Sequence, residues 1–130
     1  MSEENVEAVR RAYAAFHSGD LDDLLAVIHP EVEFTSLIAE AEGEVFHGHD
    51  GVRRWWKEVV LPLGGLQAEL EEIRDFGGIV VLRVLGTYSP RGVEVNQTFW
   101  HVLRFRDGKA VWWRFVRTDE EALEAAGLSE

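Results

Sequence analysis

The sequence of 130 residues contains no cysteine, which excludes disulfide bonds, thiolate nucleophiles and thiolate metal ligands. Basic residues are scarce, because 13 lysines and arginines stand against 24 aspartates and glutamates, giving a formal net charge of −11. A surface of this sign repels phosphate backbones, so we expect no nucleic-acid partner. No apolar run approaches the roughly 18 residues of a membrane span, and the start, MSEEN, is acidic. The sequence therefore predicts a soluble, cytoplasmic protein without a membrane partner.

The residues that are present indicate one ordinary globular domain. A chain of this length is typical of a single domain. Apolar residues make up 46% of the sequence and charged residues 28%, which are common values for a folded soluble protein. No internal repeat, low-complexity stretch or linker interrupts the chain. We therefore expect residues 1–130 to form one domain.

Three helical patterns occupy most of the first sixty residues. Apolar residues recur at helical spacing over residues 6–16, and a second stripe follows over residues 21–28. Asp20 is placed to cap the second helix, and His29-Pro30 is expected to end it, because the residue before a proline disfavours helix. The third stripe, over residues 52–60, has the spacing of a core-facing helix.

Strand patterns dominate the rest of the sequence. A short strand is expected at residues 32–36, and residues 39–47 are interpreted as a loop. Asp107-Gly108 between two apolar runs is a strong hairpin signal, and the segment from Thr118 to Glu121 reads as a capping box that starts a short helix. Alternation predicts further strands at residues 66–70, 79–88, 93–106 and 110–117. Three helices followed by antiparallel strands indicate an α+β fold.

Four local strings, in this order, resemble the nuclear-transport-factor-2-like superfamily, closest to its SnoaL-like (polyketide-cyclase-like) and ketosteroid-isomerase-like branches. They are SGDLD at 18–22, HPEVEF at 29–34, GHDGV at 48–52 and LRFRDGK at 103–109. The resemblance implies a curved antiparallel sheet wrapped as a cone around the three N-terminal helices, as in cystatin-like folds. It also implies a deep apolar pocket and dimerisation through the outer face of the sheet. Members include isomerases, cyclases and dehydratases as well as binding and scaffold domains.

The resemblance implies that His101 faces the pocket, at the position where ketosteroid isomerases carry an acid. A neutral imidazole in apolar surroundings can donate a hydrogen bond to a carbonyl group or accept a proton. The alternative is a core histidine bonded to a backbone carbonyl or to Tyr13. Arg117 is a candidate partner for an anionic group, and its alternative partner is an acid of the C-terminal helix.

The same alignment implies the residues that bind a ligand. The general-base aspartate of the isomerases is replaced by Ser36, and their first-helix tyrosine by Ala12, so the isomerase mechanism as such is not expected. His47, His49 and Asp50 lack a further ligand at metal-site spacing, so we expect no metal and no cofactor. The expected ligand-binding residues are Tyr13, Phe16, Phe34, Ser36, Trp56, Val84, Tyr88, Gln97, Phe99, Trp113 and Phe115.

Two functions remain open on these grounds. The first is a small-molecule pocket protein that isomerises, cyclises or dehydrates an apolar carbonyl compound by acid–base chemistry, without a cofactor. The second is a non-catalytic ligand-binding or scaffold domain of the same fold. In either case the outward-facing Trp100, Val102 and Trp112 are more apolar than a solvated sheet requires, which predicts a homodimer through that face.

Overall fold

The computed structural model describes residues 2–35, 45–63 and 66–127. Its helices are α1 (Ser2–Ser18), α2 (Leu21–Ala26), α3 (Gly48–Trp55) and α4 (Asp119–Ala125). Its strands are β1 (Ile28–Phe34), β2 (Phe46–His47), β3 (Gln67–Asp75), β4 (Ile79–Tyr88), β5 (Val95–Arg106) and β6 (Lys109–Val116). A π-helical turn (Trp56–Val60) and a 3-10 turn (Leu61–Leu63) continue α3. No helix in these ranges is long and apolar enough to cross a membrane.

The strands form a single sheet in the order β2-β1-β6-β5-β4-β3. Neighbours are antiparallel except β1 and β6, which run parallel. Pairing shifts register at three places, within β1/β6, β3/β4 and β5/β6, and such irregularities bend a sheet. The α+β class and the curved sheet beside three N-terminal helices are confirmed. The four strands from β3 to β6 are antiparallel as predicted, and the parallel β1/β6 pair joins β1 to them.

The second helix ends earlier than the His29-Pro30 signal predicts. Asp20 caps α2 as expected, because its carboxylate accepts a hydrogen bond from the backbone N–H of Asp23 at 3.0 Å. The backbone carbonyl of Val27 then accepts a hydrogen bond from the N–H of Ala110 on β6, at 3.1 Å. Pairing with a distant strand therefore turns residues 28–30 into the start of β1.

Residues 36–44, which include Ser36 and most of the expected loop, lie outside the described residues. The last two residues of that loop, Phe46 and His47, instead form β2 and pair with β1. Phe46 is 1% exposed, and its ring stacks on that of Phe34 at a centroid distance of 5.0 Å. The loop interpretation is wrong at this end because an aromatic side chain is buried there.

The pairing of β5 with its neighbours decides which side chains share a face of the sheet. Asp107 and Gly108, between β5 and β6, have φ angles of 55° and 75°, the pair of positive values that a type I′ turn requires. Beyond the register shift between Arg104 and Phe105, His101 stands opposite Leu82 on β4 and Phe115 on β6. Residues directly opposite each other point to the same face, so the predicted inner face of these three strands is confirmed.

Part of the opposite, outer face of the sheet is covered by α4. Val81 and Val102 are 2% and 0% exposed, and they pack against Ala122 of that helix and against Ala126, its C-cap residue. Trp100 and Trp112 are half-buried at the edge of this cluster. Because Val102 is buried within its own chain, its assignment to a dimer interface is wrong in this arrangement.

The capping box at the start of α4 is present in a modified form. The hydroxyl oxygen of Thr118 accepts a hydrogen bond from the N–H of Glu121 at 3.0 Å, as predicted. The carboxylate of Glu121 reaches back one residue further than expected, and accepts from the N–H of Arg117 at 3.0 Å. The helix that covers the outer face is therefore fixed at its first turn.

Candidate functional site

A cavity of about 130 Å³ lies between the inner face of the sheet and helices α1 and α3. Cavities of about 150 Å³ lined by apolar side chains admit benzene, so this volume suits a ligand with one ring. No Lys, Arg, Asp or Glu lines the cavity among the described residues. Eight residues predicted as site residues line it: Tyr13, Phe16, Phe34, Tyr88, Phe99, His101, Trp113 and Phe115.

His101 lies in the middle of β5, and aromatic rings surround its side chain. The imidazole centroid is 5.0 Å from that of Phe99, 5.4 Å from that of Trp113 and 6.2 Å from that of Phe115. Burial among these rings lowers the pKa of His101 from 6.5 to about 3, because an apolar environment disfavours the charged form. The imidazole is therefore neutral at physiological pH.

Tyr13 contacts His101 from α1. Its hydroxyl oxygen lies 3.1 Å from Nδ1 of the imidazole, within hydrogen-bond distance. The side chain is 8% exposed, and burial raises the pKa of its hydroxyl, so the phenol stays protonated. The hydrogen bond to Tyr13 that sequence analysis gave as an alternative is thus present, and the ring of His101 borders the cavity as well.

Thr35 is a polar cavity residue that sequence analysis missed. It directly follows β1, and its hydroxyl oxygen accepts a hydrogen bond from the N–H of Phe115 at 3.1 Å. The hydroxyl hydrogen has no acceptor among the described residues, so it is available to a ligand. The strand pattern gave no signal for it, because alternation places Thr35 on the face opposite Phe34, whereas β1 ends at Phe34 and Thr35 lies beyond the strand.

Of the two adjacent tryptophans in the third helical segment, the one that lines the cavity is not the one that was predicted. Trp55, and not Trp56, lines the cavity, together with Val52 and Val59. These three residues follow the i, i+3, i+7 spacing of one helix face, but Trp56 continues the same stripe at i+4, so the spacing alone does not select Trp55. Trp56 packs on Phe16 at a centroid distance of 5.4 Å. The indole Nε1 of Trp55 is buried and has no hydrogen-bond partner in the part of the chain that the structure describes.

Three further predicted site residues, Val84, Gln97 and Arg117, lie outside the lining of the described part of the cavity. Val84 is 0% exposed in the core behind it. Gln97 contacts Tyr88: its side-chain amide oxygen accepts a hydrogen bond from the Tyr88 hydroxyl at 3.5 Å. Arg117 is exposed, with its guanidinium 6.0 Å from the ring centroid of Phe115. All three side chains were expected to point to the inner face of the sheet, but the cavity occupies only the central part of that face.

One glycine controls the position of a cavity wall. Gly86 on β4 is buried opposite Gln97, beside the ring of Phe99. A Cβ atom at position 86 would lie 2.8 Å from Cε1 of Phe99, closer than such contacts occur. The Phe99 ring therefore occupies its present position because residue 86 has no side chain.

The described residues contain no group of three potential metal ligands. One of the histidines considered above as metal ligands makes another contact: the Nε2–H of His49 donates a hydrogen bond to the backbone carbonyl of Ile28 at 2.8 Å. The cavity is thus built from apolar walls and a few hydrogen-bonding groups.

The sequence profile of the SnoaL-like domain matches residues 9–113, which is most of the chain. The chain belongs to the SnoaL-like domain family. This SnoaL-like domain therefore carries the fold that its local strings indicated. A search of curated proteins finds no match to it.

Solved structures show the same fold. The crystal structure of TerC co-crystallised with polyporic acid is 27% identical, with a TM-score of 0.81 and coverage of 96% of this chain and 97% of that one. An NTF2-like protein of unknown function from Burkholderia pseudomallei is also 27% identical, with a TM-score of 0.81 and coverage of 93% and 95%. A putative polyketide cyclase from Sinorhizobium meliloti is 19% identical, with a TM-score of 0.71 and coverage of 84% and 93%.

Proposed function

We propose that this SnoaL-like domain binds a neutral, largely apolar carbonyl compound in its cavity and acts on it by acid–base chemistry without a cofactor. Isomerisation, cyclisation and dehydration are the reactions of this class. The observation that carries the proposal is the hydrogen-bonded pair of Tyr13 and His101, which places titratable groups in an otherwise apolar cavity.

The lining of the cavity supports a neutral ligand. Burying an unpaired charge in apolar surroundings is costly, and no charged side chain lines the described part of the cavity to compensate it. Aromatic rings provide most of the contact area, which suits a flat or cyclic molecule. The co-crystal of TerC with polyporic acid supports the view that a pocket of this family holds small organic molecules.

The polar groups support chemistry at a carbonyl oxygen or at the carbon beside it. A hydrogen bond to an oxygen that gains negative charge is strong where water is excluded. His101 borders the cavity and is neutral, so it is suited to that role, and Thr35 and Tyr88 are suited to orienting the ligand. Arg117 and Gln97, which lie outside the lining, are assigned no contact with the ligand.

Hydrogen–deuterium exchange of a simple ketone tests the proposal. The protein is incubated with acetophenone in D₂O, and the loss of the methyl proton signal is followed by NMR. We expect exchange above the buffer rate, and a reduction of about 10²-fold or more in His101→Gln, the usual contribution of a positioned acid–base group. Thr98→Val is the matched control, because Thr98 is exposed on the outer face of the same strand.

Two outcomes would count against catalysis. Exchange at the buffer rate, with acetophenone bound, would indicate the non-catalytic ligand-binding function instead. Exchange that is equal in the wild type and His101→Gln would remove His101 from the proposal. Native mass spectrometry of the purified protein complements this test, because a co-purified neutral molecule would identify the natural ligand class directly.

Dimerisation and a cytoplasmic location remain predictions. Of the three residues assigned to the dimer interface, Trp100 and Trp112 are half-buried and still reach the surface. Sedimentation velocity of the wild type and of Trp112→Ser tests the interface. A dimer that is weakened by the substitution supports it, and a monomeric wild type contradicts it.

A further inference from the structure

The direction of the hydrogen bond between Tyr13 and His101 determines which ligands the cavity accepts. A neutral imidazole carries one hydrogen, either on Nδ1 or on Nε2, and the other nitrogen is an acceptor. The structure places the hydroxyl of Tyr13 at 3.1 Å from Nδ1. No other hydrogen bond of His101 or of the Tyr13 hydroxyl to a described residue is present. The arrangement of hydrogens within this pair is therefore set by the two groups themselves.

The relative strengths of the two groups as donors and acceptors distinguish the two arrangements. Each arrangement leaves one donor and one acceptor without a partner among the described residues. These are the Nε2–H and the tyrosine oxygen if Tyr13 donates, and the tyrosine hydrogen and the bare Nε2 if Nδ1–H donates. A phenol O–H is a stronger donor than a neutral imidazole N–H, and an imidazole nitrogen is a stronger acceptor than a phenol oxygen. The hydrogen bond is therefore stronger when Tyr13 donates to Nδ1, and that arrangement is favoured.

We infer that Tyr13 is a positioning residue that holds His101 in the form with hydrogen on Nε2, so that the cavity selects neutral ligands with a hydrogen-bond acceptor, such as ketones, quinones or lactones. This inference rests on the proposed function only in its statement about ligands. The hydrogen position in the free protein is a separate property that needs no ligand.

A second polar group of the cavity fits the same ligand chemistry. The hydroxyl oxygen of Thr35 already accepts a hydrogen bond from the N–H of Phe115, and its hydrogen has no acceptor among the described residues, so it can donate to a ligand. No carboxylate lines the described part of the cavity. The free hydrogens of His101 and Thr35 are therefore both donors, and an acceptor-bearing ligand satisfies them.

The assignment also limits what His101 does in a reaction. With hydrogen on Nε2, the ring donates to a ligand oxygen and stabilises negative charge that develops there. The hydrogen bond from Tyr13 to Nδ1 keeps the ring in this orientation during the step. His101 then contributes as a hydrogen-bond donor, and removal of a proton from carbon is left to another base or to water.

Nitrogen NMR of the free protein tests the hydrogen position. Protein labelled with ¹⁵N in histidine is measured at neutral pH, where bare and protonated ring nitrogens have well-separated shifts. We expect a protonated Nε2 and a bare Nδ1 for His101. In Tyr13→Phe we expect the two forms to mix, with an amide spectrum that shows a preserved fold. Tyr88→Phe, which removes a cavity hydroxyl that bonds to Gln97, should leave the His101 shifts unchanged.

A matched pair of probes tests the ligand selection. Acetophenone and α-methylstyrene have nearly the same shape, but only acetophenone carries an acceptor oxygen. We expect the ratio of their affinities, measured by ligand-observed NMR, to fall about tenfold in His101→Phe, as for the loss of one hydrogen bond. In Tyr13→Phe it should fall about twofold, because about half of the rings then lack Nε2–H.

The outcomes separate this inference from the proposed function. Hydrogen on Nδ1 of the wild type overturns the inference, whether or not the protein catalyses exchange. An unchanged affinity ratio in His101→Phe overturns the ligand selection. Hydrogen on Nε2 together with no proton exchange supports the inference and counts against catalysis.

Discussion

The two faces of the central sheet are filled in different ways. On the outer face, Val102 lies under Ala122 and Ala126 of α4, and both sets of side chains are almost completely buried. On the inner face, His101, the next residue before Val102, borders a cavity of about 130 Å³. Successive residues of β5 therefore point to different surroundings: Val102 to the packed contact with Ala122 and Ala126, called the closed contact below, and His101 to the cavity.

The difference follows from the size and shape of the covering side chains. Alanines let α4 approach the sheet closely, so small aliphatic groups fill the contact. On the inner face, large rings pack against each other at centroid distances near 5 Å, as between Phe99 and Phe115. Rings that pack against one another in this way cannot move into the remaining space. The cavity therefore stays open because aromatic side chains surround it.

The largest effect is expected from a charge in the closed contact. Val102→Asp should lower the free energy of unfolding by about 3–5 kcal/mol, because it buries an unpaired carboxylate. The same change at Thr98, exposed on the same face of β5, should stay within about 0.5 kcal/mol. Urea unfolding measures both. Equal tolerance of the two substitutions would show that α4 does not cover the outer face.

Acid should weaken the inner face through His101. Its pKa is about 3 in the folded chain and 6.5 in the unfolded one, so the unfolded chain binds more protons between these values. Stability from this group is complete above pH 6.5 and falls by about 1.4 kcal/mol per pH unit below it. Unfolding of the wild type should therefore become easier, relative to His101→Gln, by about 3 kcal/mol from pH 6 to pH 4. Parallel pH dependences of the two proteins would contradict the burial of the ring.

Enlarging one alanine on each side compares the faces directly. Ala12 lines the cavity and Ala122 lies in the closed contact. Ala12→Leu should change stability by less than about 1 kcal/mol, because its added carbons enter open space, whereas Ala122→Leu should cost about 1–3 kcal/mol by overpacking. Ala12→Leu should also abolish acetophenone binding. Equal costs at both positions would mean that the inner face is as tightly packed as the outer one.

The smallest effect concerns the start of the covering helix. Thr118→Ala should cost about 1 kcal/mol, because the N–H of Glu121 loses its capping oxygen. Thr118→Ser keeps a hydroxyl at the same place and should restore most of the loss. Thermal unfolding measures the difference, and a Thr118→Ala protein as stable as the wild type would show that the cap contributes nothing to the outer face.

The faces of the long strands could be predicted from the sequence because the family resemblance implies that His101 faces the pocket, and alternation along the strand then assigns Phe99 to the same side. The Asp107-Gly108 turn alone would not have placed them, because a register shift between Arg104 and Phe105 separates the turn from His101. The parallel pairing of β1 with β6 could not be predicted in this way. It depends on where a distant strand meets Val27, and no short-range pattern encodes that contact.

The cavity itself was only partly predictable, for a similar reason. Alternation assigned Val84 and Gln97 to the inner face, but neither lines the cavity. The packing of α1 and α3 across the sheet decides which residues of the inner face reach it. The choice between Trp55 and Trp56 depends on the rotation of a helix that becomes π-helical at Trp56. The covering of Val102 depends on α4, whose alanines at positions 122 and 126 share one face.

The missing side chain at position 86 gives this fold an indirect way to change the shape of its cavity. Gly86 does not line the cavity, yet it leaves the room in which the edge of the Phe99 ring rests. A single added methyl group there would displace that ring and so alter the breadth of the cavity. Descendants of this chain have a route to a cavity of different breadth that leaves every lining side chain chemically the same.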